Sequence, residues 1–360
     1  MGAITAIIIF SILIVVHEFG HFLAAKQAGV KVEKFSIGFG PTILKIKGKE
    51  TIFQICIFPL GGYVKMAGED RQSCSGQSNE FFSKPVGLRA RIVMAGPLSN
   101  YLMAFFIFWA IAFIIGVPSS KPVVGQVLAE YPAVEAGITA GDIIVAVNGQ
   151  SVKNWQDMAS IIHKSRDKIN LTILRDKKLM SLDSELNMKE DMDEFGKKIE
   201  VANIGIAPVM NKYDFIGSFL KAGYTIKTHT VRFFRGIYAI LTGIVPFEKA
   251  VIGPLGIGFL SSKVAQADFF VQLNFLALLS ISLGLINLFP IPVLDGGHLM
   301  FFLVEKVRKK EVSKRTEEIL TKVGLALLAV IFLFAFYNDV KRGPHFFDED
   351  NKKNVEEEAK

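Results

Sequence analysis

Long apolar runs alternate with polar segments along this chain of 360 residues. Four of the runs have close to the roughly 20 residues that a helix needs to cross about 30 Å of hydrocarbon. They cover residues 3–25, 98–117, 273–294 and 319–337. This pattern predicts a polytopic α-helical membrane protein with four transmembrane helices.

A second pattern, the alternation of apolar and polar residues, marks the segment 43–66. Alternation has the period of a β-strand, and Gly48 falls where the chain would turn, so the segment predicts a membrane-associated β-hairpin. Its apolar residues, which include Ile52 and Ile57, could dip into the bilayer and offer an edge strand to a peptide. A small sheet that packs beneath the helices is the alternative.

The pattern of a soluble domain begins at about residue 122 and continues to 207. A strand-like segment at 123–127 is followed by a short helical one and by a strand at 143–147, which ends in an Asn148-Gly149 turn. A further helix follows. This order predicts an inserted α+β domain and resembles the permuted order of PDZ-like domains, in which an extended peptide adds to a sheet edge.

Aromatic and basic residues are interleaved in the next segment, 213–268, as in Arg232, Phe233, Phe234 and Arg235. A helix of this composition usually lies along a membrane surface. It could form a collar that controls entry to the membrane domain, or it could simply pack against its neighbours. The first and last pairs of spans, within 1–117 and 269–338, then form two membrane halves, followed by a charged tail at 339–360.

The distribution of charge predicts the orientation of the spans. There are 11 Lys and Arg against 5 Asp and Glu from Lys26 to Arg91, and 7 against 4 in 305–322. By the positive-inside rule both loops are cytoplasmic, which places the 122–207 domain and the C-terminus on the extracytoplasmic side. Since the net charge of +7 is concentrated in these loops, it indicates contact with anionic lipid and not with nucleic acid.

The first apolar run contains the motif His17-Glu18-Phe19-Gly20-His21. Residues at i and i+4 share one face of a helix, so His17 and His21 can present two imidazoles to one Zn²⁺. Glu18 is then placed to act as general base toward water at the metal. Ionisable residues inside a membrane span are costly to insert and point to a functional site.

A catalytic zinc site needs a third protein ligand, and Asp295 at the end of the third run is the best candidate. The preceding Pro290 and Pro292 cannot continue a helix, and irregular backbone at membrane depth is tolerated where it lines a cavity. Carbonyl groups near these prolines, together with the amide of Asn287, could hold an extended peptide. His298 could be a ligand as well, although its place after two glycines is more typical of an interfacial histidine.

These motifs resemble those of the bacterial branch of the site-2 protease family, the intramembrane zinc metalloproteases. The resemblance covers residues 3 to 337 and rests on H-E-x-x-H at 17–21, N-x-x-P-x-P-x-L-D-G at 287–296, G-P-L-S-N-Y at 96–101 and G-G-Y-V-K-M at 61–66. It implies that His17, His21 and Asp295 bind zinc, that Glu18 activates water, and that Asn287 helps to hold the substrate. A well-known member has two tandem PDZ-like domains, whereas this chain has room for one.

The resemblance further implies an endopeptidase of the bacterial cytoplasmic (inner) membrane that cleaves transmembrane segments of single-span proteins. Its substrates would be anti-sigma factors already trimmed by an upstream site-1-type protease, or remnant signal peptides. The PDZ-like domain would act as a size filter or as a peptide binder. Two other functions fit part of the pattern: a divalent-cation transporter, which predicts ligands in several spans, and a catalytically silent membrane scaffold.

Overall fold

The computed structural model describes residues 2–71, 74–192 and 198–358. Its contacts divide the chain into two compact units. One comprises Met1–Phe108 with Ala222–Lys360 and is called the membrane unit here, and the other, Trp109–Lys221, is called the inserted unit.

Four helices in the described residues are long and apolar enough to cross a membrane, which confirms the predicted number of spans. They are α1, α2 with the π-helix that continues it, α8 and α10. The described α-helices are α1 (Gly2–Gln27), α2 (Val86–Ala110), α3 (Pro132–Glu135), α4 (Trp155–Lys164), α5 (Phe215–Leu241), α6 (Phe247–Ala250), α7 (Pro254–Ala265), α8 (Phe269–Asn287), α9 (Asp295–Arg308) and α10 (Lys314–Glu358), and the π-helix is Ile111–Ile115.

The third span is shorter than the predicted 273–294, because α8 ends at Asn287. Pro290 and Pro292 explain the early end: neither can donate a backbone hydrogen bond, and each disfavours helical geometry in the residue before it. The helix of the second span, α2, begins at Val86, before the predicted span of 98–117, and its charged first turns lower the hydropathy of that part of the helix.

The fourth span also extends beyond the predicted 319–337. The helix α10 begins at Lys314 and continues into the charged tail as far as Glu358. Residues 359–360 of that tail lie outside the described part of the chain.

The hairpin is longer than the predicted 43–66. Its antiparallel strands are β1 (Val32–Lys47) and β2 (Ile52–Met66). Gly38 and Gly40 have positive φ angles of 87° and 88°, and the register shifts repeatedly along the first strand. Such bulges break the alternation of side chains between the two faces of a strand, although Phe35, Ile37 and Phe39 alternate with small residues in the sequence. Both strands contact α1.

The inserted unit contains a four-stranded antiparallel sheet in the order β6-β5-β7-β8 and three two-stranded pairings, of which β9–β10 is a hairpin. Its core is aliphatic, with Ile144, Leu171 and Ile173 from the sheet and Met158 from α4 all buried. This is the α+β arrangement that the sequence predicts. The strands are β3 (Val117–Pro118), β4 (Val124–Val127), β5 (Ile143–Val147), β6 (Gln150–Ser151), β7 (Ile169–Arg175), β8 (Lys178–Ser184), β9 (Asn187–Met192), β10 (Lys198–Asn203), β11 (Ile206–Pro208) and β12 (Met210–Asn211).

An ion pair in the membrane unit joins the start of α2 to the last turn of α9. The Nη2 of Arg89 lies 2.6 Å from Oε1 of Glu305, its Nη1 lies 3.2 Å from Oε2, and both residues are buried. The guanidinium also lies over the rings of Phe82 and Phe302. The pair therefore fixes the end of α9 that is distant from Asp295.

Candidate metal centre and active site

The two histidines of the H-E-x-x-H motif lie one turn apart on α1, as the spacing requires, and both are buried. Their Nε2 atoms are 3.2 Å apart. Asp295, the first residue of α9, completes the group: its Oδ2 is 3.1 Å from Nε2 of His17 and 3.4 Å from Nε2 of His21. The structure thus brings together the three residues that the sequence indicates as ligands.

The geometry of these three atoms fits a tetrahedral metal. Bonds of about 2.0 Å in a tetrahedral zinc site place neighbouring ligand atoms about 3.3 Å apart, close to the observed 3.1, 3.2 and 3.4 Å. The Oδ2 of Asp295 is buried and receives no hydrogen bond. A cation would satisfy that oxygen. In the described part of the chain, these are the three His, Cys, Asp or Glu side chains whose ligand atoms lie close enough together to bind one metal ion.

The loop between α8 and α9 sets the position of Asp295. Residues 288–294 fold back over the first turn of α9, so that a Cβ on Gly296 would lie 2.3 Å from the carbonyl oxygens of Leu288 and Phe289. Val293 has a φ of 134°, a strained value for a β-branched residue. Strain of this kind is often stored next to functional sites. At the N-terminus of α9, the Asp295 carboxylate also lies where the helix dipole favours negative charge.

The side of α2 that faces α1 supports both imidazoles. The Nδ1 of His21 lies 2.9 Å from the carbonyl oxygen of Ile92, and Nδ2 of Asn100 lies 3.3 Å from Nδ1 of His17. Between them is Gly96, where a Cβ would be 2.3 Å from Nε2 of His21. Gly96 and Asn100 lie in the G-P-L-S-N-Y motif, but no role at the site was predicted for them. A signal was available, because a glycine and an asparagine one turn apart on a span are typical of a contact with another spanning helix.

A cavity of about 400 Å³ opens beside the three ligand atoms. Glu18 lines it, as do Asn287 at the end of α8 and His298 on α9. The other lining residues come from α1, strand β2 and the loop after it, α2, α8, the loop between α8 and α9, and α10: Ile14, Tyr63, Val64, Met66, Glu69, Phe81, Phe82, Val93, Leu283, Val293, Leu294 and Glu317.

Two residues that the sequence predicts to bind substrate, Pro290 and Pro292, lie away from the cavity lining. Pro290 and Pro292 are not among the residues that line this cavity. The carbonyl of Pro292 instead faces Gly324 of α10, 2.1 Å from where a Cβ would be. Their effect on the site is to end α8 and so to bring Asn287 and Asp295 to the cavity wall. His298 lies at the cavity without joining the three-ligand group.

Fold and site together define a polytopic membrane protein with a candidate three-ligand metal centre beside its spanning helices. Comparison with known proteins identifies the family. The sequence model of peptidase family M50 matches residues 5–331. The chain therefore belongs to peptidase family M50, the site-2 proteases, and is a bacterial membrane zinc metalloprotease.

Relatives match nearly the whole chain. A candidate zinc metalloprotease of Campylobacter jejuni is 34% identical over 94% of this chain and 93% of its own length. The zinc metalloprotease RasP of Geobacillus kaustophilus is 28% identical over 94% of this chain and 97% of its own. Among solved structures, the PDZ domain of the SdrC-like protein of Listeria innocua is 26% identical and covers 24% of this chain and 92% of its own, with a TM-score of 0.20.

Proposed function

We propose that this protease cleaves peptide bonds within the transmembrane segments of single-span membrane proteins. His17, His21 and Asp295 would hold the zinc ion, and Glu18 would be the general base. The observation that carries the proposal is the convergence of three ligand atoms within 3.4 Å of one another on spanning helix α1 and at the start of α9, beside a cavity that Glu18 lines.

The chemistry divides between the metal and the chain. Zinc would polarise the scissile carbonyl and make water more acidic. Glu18 would take a proton from the attacking water and pass it to the leaving amine. The paired histidines and Asp295 would keep the reacting groups in place, while the surrounding helices limit access of bulk water.

The cavity wall suggests how a peptide would be held. Tyr63 and Val64 of β2 line the cavity, as do Leu283 and Asn287 of α8. A helical substrate must unwind before its carbonyl can be attacked, and an extended peptide could pair with a strand edge. Asn287 would then bind the peptide backbone. The outer part of the hairpin, with exposed Phe39, Ile43, Ile46, Ile57 and Phe58, would lie in lipid.

The charge distribution supports a site near the cytoplasmic side of the inner membrane, with the PDZ-like domain and the C-terminus outside. In that orientation the inserted unit would screen substrates before they reach the membrane unit, as a size filter or as a peptide binder. We propose two substrate classes: anti-sigma factors already trimmed by a site-1-type protease, and remnant signal peptides. We also propose that the cytoplasmic loops contact anionic lipid.

The proposal can be tested with the purified protein in bicelles and a single-span model substrate. We expect Glu18→Gln to bind zinc as tightly as the unaltered protein and to cleave nothing detectable. Expressed in its native cell, this variant should accumulate membrane fragments that copurify with it. Cleavage by Glu18→Gln, or zinc flux into vesicles by the unaltered protein without any cleavage, would contradict the proposal.

A further inference from the structure

Asn100 of α2 is a buried polar residue that the hydrolytic chemistry does not use. We propose that it is a positioning residue for the metal centre: its amide oxygen accepts a hydrogen bond from Nδ1–H of His17 and so leaves Nε2 of that imidazole free to bind zinc. The inference rests on the ligand set of the proposed function and goes beyond it.

The contact is direct and enclosed. Asn100 is 0% exposed, and its amide nitrogen lies 3.3 Å from Nδ1 of His17. Its backbone carbonyl accepts a hydrogen bond of 2.8 Å from the hydroxyl of Ser280 on α8. Asn100 therefore contacts two spanning helices, α1 and α8, and its main chain is held by Ser280. Its side-chain amide contacts Nδ1 of His17, whereas Asp295 contacts Nε2 of the same ring.

The orientation of the amide decides which nitrogen of His17 can bind a metal. With Nδ2 directed at the ring, Nδ1 must act as acceptor, and the single proton of a neutral imidazole then sits on Nε2. That nitrogen is the one 3.1 Å from Asp295. A half turn of the amide exchanges Oδ1 and Nδ2 with almost no change in shape. Nδ1 then carries the proton, and Nε2 presents a lone pair.

The second observation is the state of the amide oxygen. Oδ1 of Asn100 is buried and has no hydrogen-bonding partner in the described part of the chain. Buried polar atoms are seldom left unsatisfied, and such an atom needs an explanation. Because Oδ1 has no other partner, His17 alone determines which way the amide faces. Zinc at Nε2 would reverse it and would give Oδ1 a donor.

His21 provides the comparison within the same site. Its Nδ1 is 2.9 Å from the backbone carbonyl of Ile92, which can only accept. Its Nε2 is therefore always available. Ile92 and Asn100 lie eight residues apart on one face of α2, with Gly96 midway, so one helix supports both ligands. Metal-bound histidines commonly donate their second ring nitrogen to such a partner.

The rival explanation is that Asn100 only holds helices together, since asparagine often bonds across spans. The affinity of the protein for zinc distinguishes a positioning role of Asn100 from a purely structural one. Measured by competition with a chelator, we expect Asn100→Ala to bind zinc about 10- to 100-fold more weakly. Asn100→Asp keeps an oxygen that can accept from Nδ1–H, and its affinity should stay within a few-fold of that of the unaltered protein.

Asn274→Ala is the matched control, because Asn274 is a span asparagine on α8 that bonds a carbonyl of its own helix, Phe270. It should leave zinc affinity unchanged. Thermal unfolding of the metal-free proteins gives an independent readout. If Asn100→Ala and Asn100→Asp lose zinc equally, or if Asn100→Ala binds zinc normally, the inference is wrong.

The inference can also be tested on the unaltered protein, so that the result does not depend on whether a variant folds. Nitrogen chemical shifts of labelled histidine should report Nδ1 of His17 as protonated once zinc is bound. An unprotonated Nδ1 in the zinc form would overturn the inference. If the unaltered protein does not bind zinc at all, the proposed function fails, whereas normal binding with an indifferent Asn100 contradicts only the role of Asn100.

Discussion

The core of the inserted unit is aliphatic, whereas the contact between the first two spanning helices of the membrane unit is polar. In the inserted unit, Ile144, Leu171 and Ile173 are fully buried, as expected where removal of apolar surface from water drives folding. In the membrane unit, the contact between α1 and α2 encloses His17, His21, Gly96 and Asn100. Large apolar side chains of α1, such as Ile12 at 42% exposure, point outward.

The difference follows from the solvent. Lipid chains are as apolar as leucine, so burying leucine between spanning helices gains little, and close approach of small residues and hydrogen bonds hold such helices together instead. A polar contact is therefore an ordinary way to pack two spanning helices against each other. The same contact can carry a metal centre with few additional changes.

The largest effect should come from closing the gap between α1 and α2. Gly96→Ala would place a methyl group 2.3 Å from Nε2 of His21 and 2.9 Å from Cε1 of His17. We expect proteolytic activity to fall by about 100-fold or more, because small displacements of catalytic groups are that costly. Gly87→Ala, on the same helix with open space around it, is the control. Equal activity of the two variants would show that α2 does not fix the imidazoles.

The second largest effect should come from breaking the buried ion pair of the membrane unit, between Arg89 and Glu305. Glu305→Gln leaves Arg89 buried without its charged partner, which typically costs about 3–5 kcal/mol of unfolding free energy. Glu311→Gln removes a carboxylate whose side chain is 69% exposed and which pairs with Arg71, and should cost about 1 kcal/mol or less. Denaturant unfolding in micelles measures both. Similar costs would mean that the Arg89 pair is solvated.

A pair of truncations tests the contrast between the two interiors directly. Ile173→Ala in the inserted unit should cost about 2–5 kcal/mol, since it leaves a cavity in a packed core. Ile12→Ala on the lipid-facing side of α1 should change stability by less than about 1 kcal/mol. Limited proteolysis of the full chain can follow both variants. A large cost for Ile12→Ala would place that face against protein.

The smallest effect concerns a charged pair of the inserted unit. Burial acts to raise the pKa of the Asp142 carboxyl, but hydrogen bonds from Arg175, at 2.7 Å from each oxygen, and from the Thr139 N–H hold this pKa below its usual range. The pair thus stabilises the fold above the unfolded-state pKa of about 4. That contribution disappears as the pH falls through the lowered value.

Asp142→Asn should accordingly be less stable than the unaltered protein at neutral pH and nearly equal to it in acid. Fluorescence of Trp155, which packs against this core, can follow unfolding in a Trp109→Phe background. A deficit that stays constant with pH would show that the hydrogen bonds matter and the charge does not.

Much of this arrangement could be predicted from the sequence, for reasons that differ by region. The spacing of His17 and His21 fixes their common helix face, and length with hydropathy defines the spans. The pairing of α1 with α2 was not predictable in the same way. It depends on Gly96 and Asn100, which carry no periodic signal, and on which helix faces meet in three dimensions.

The same limit applies to local backbone. The first eleven residues of β1 were not predicted as strand, although Phe35, Ile37 and Phe39 alternate with small residues, and the register shifts near Gly38 and Gly40 could not be predicted from the sequence. The prolines after α8 indicated irregular chain, but whether Pro290 and Pro292 touch the cavity depends on how residues 288–294 fold back. Alternation and hydropathy describe single elements, whereas these features arise from contacts between elements.

The three proposed ligands of the metal centre come from opposite ends of the chain, with the inserted unit between them in sequence. While the protein is being synthesised, His17 and His21 enter the membrane long before Asp295 leaves the ribosome. Until α9 is in place, the growing chain holds two of its three ligands and an incomplete cavity. An incomplete ligand set would keep the protease inactive until α9 is in place.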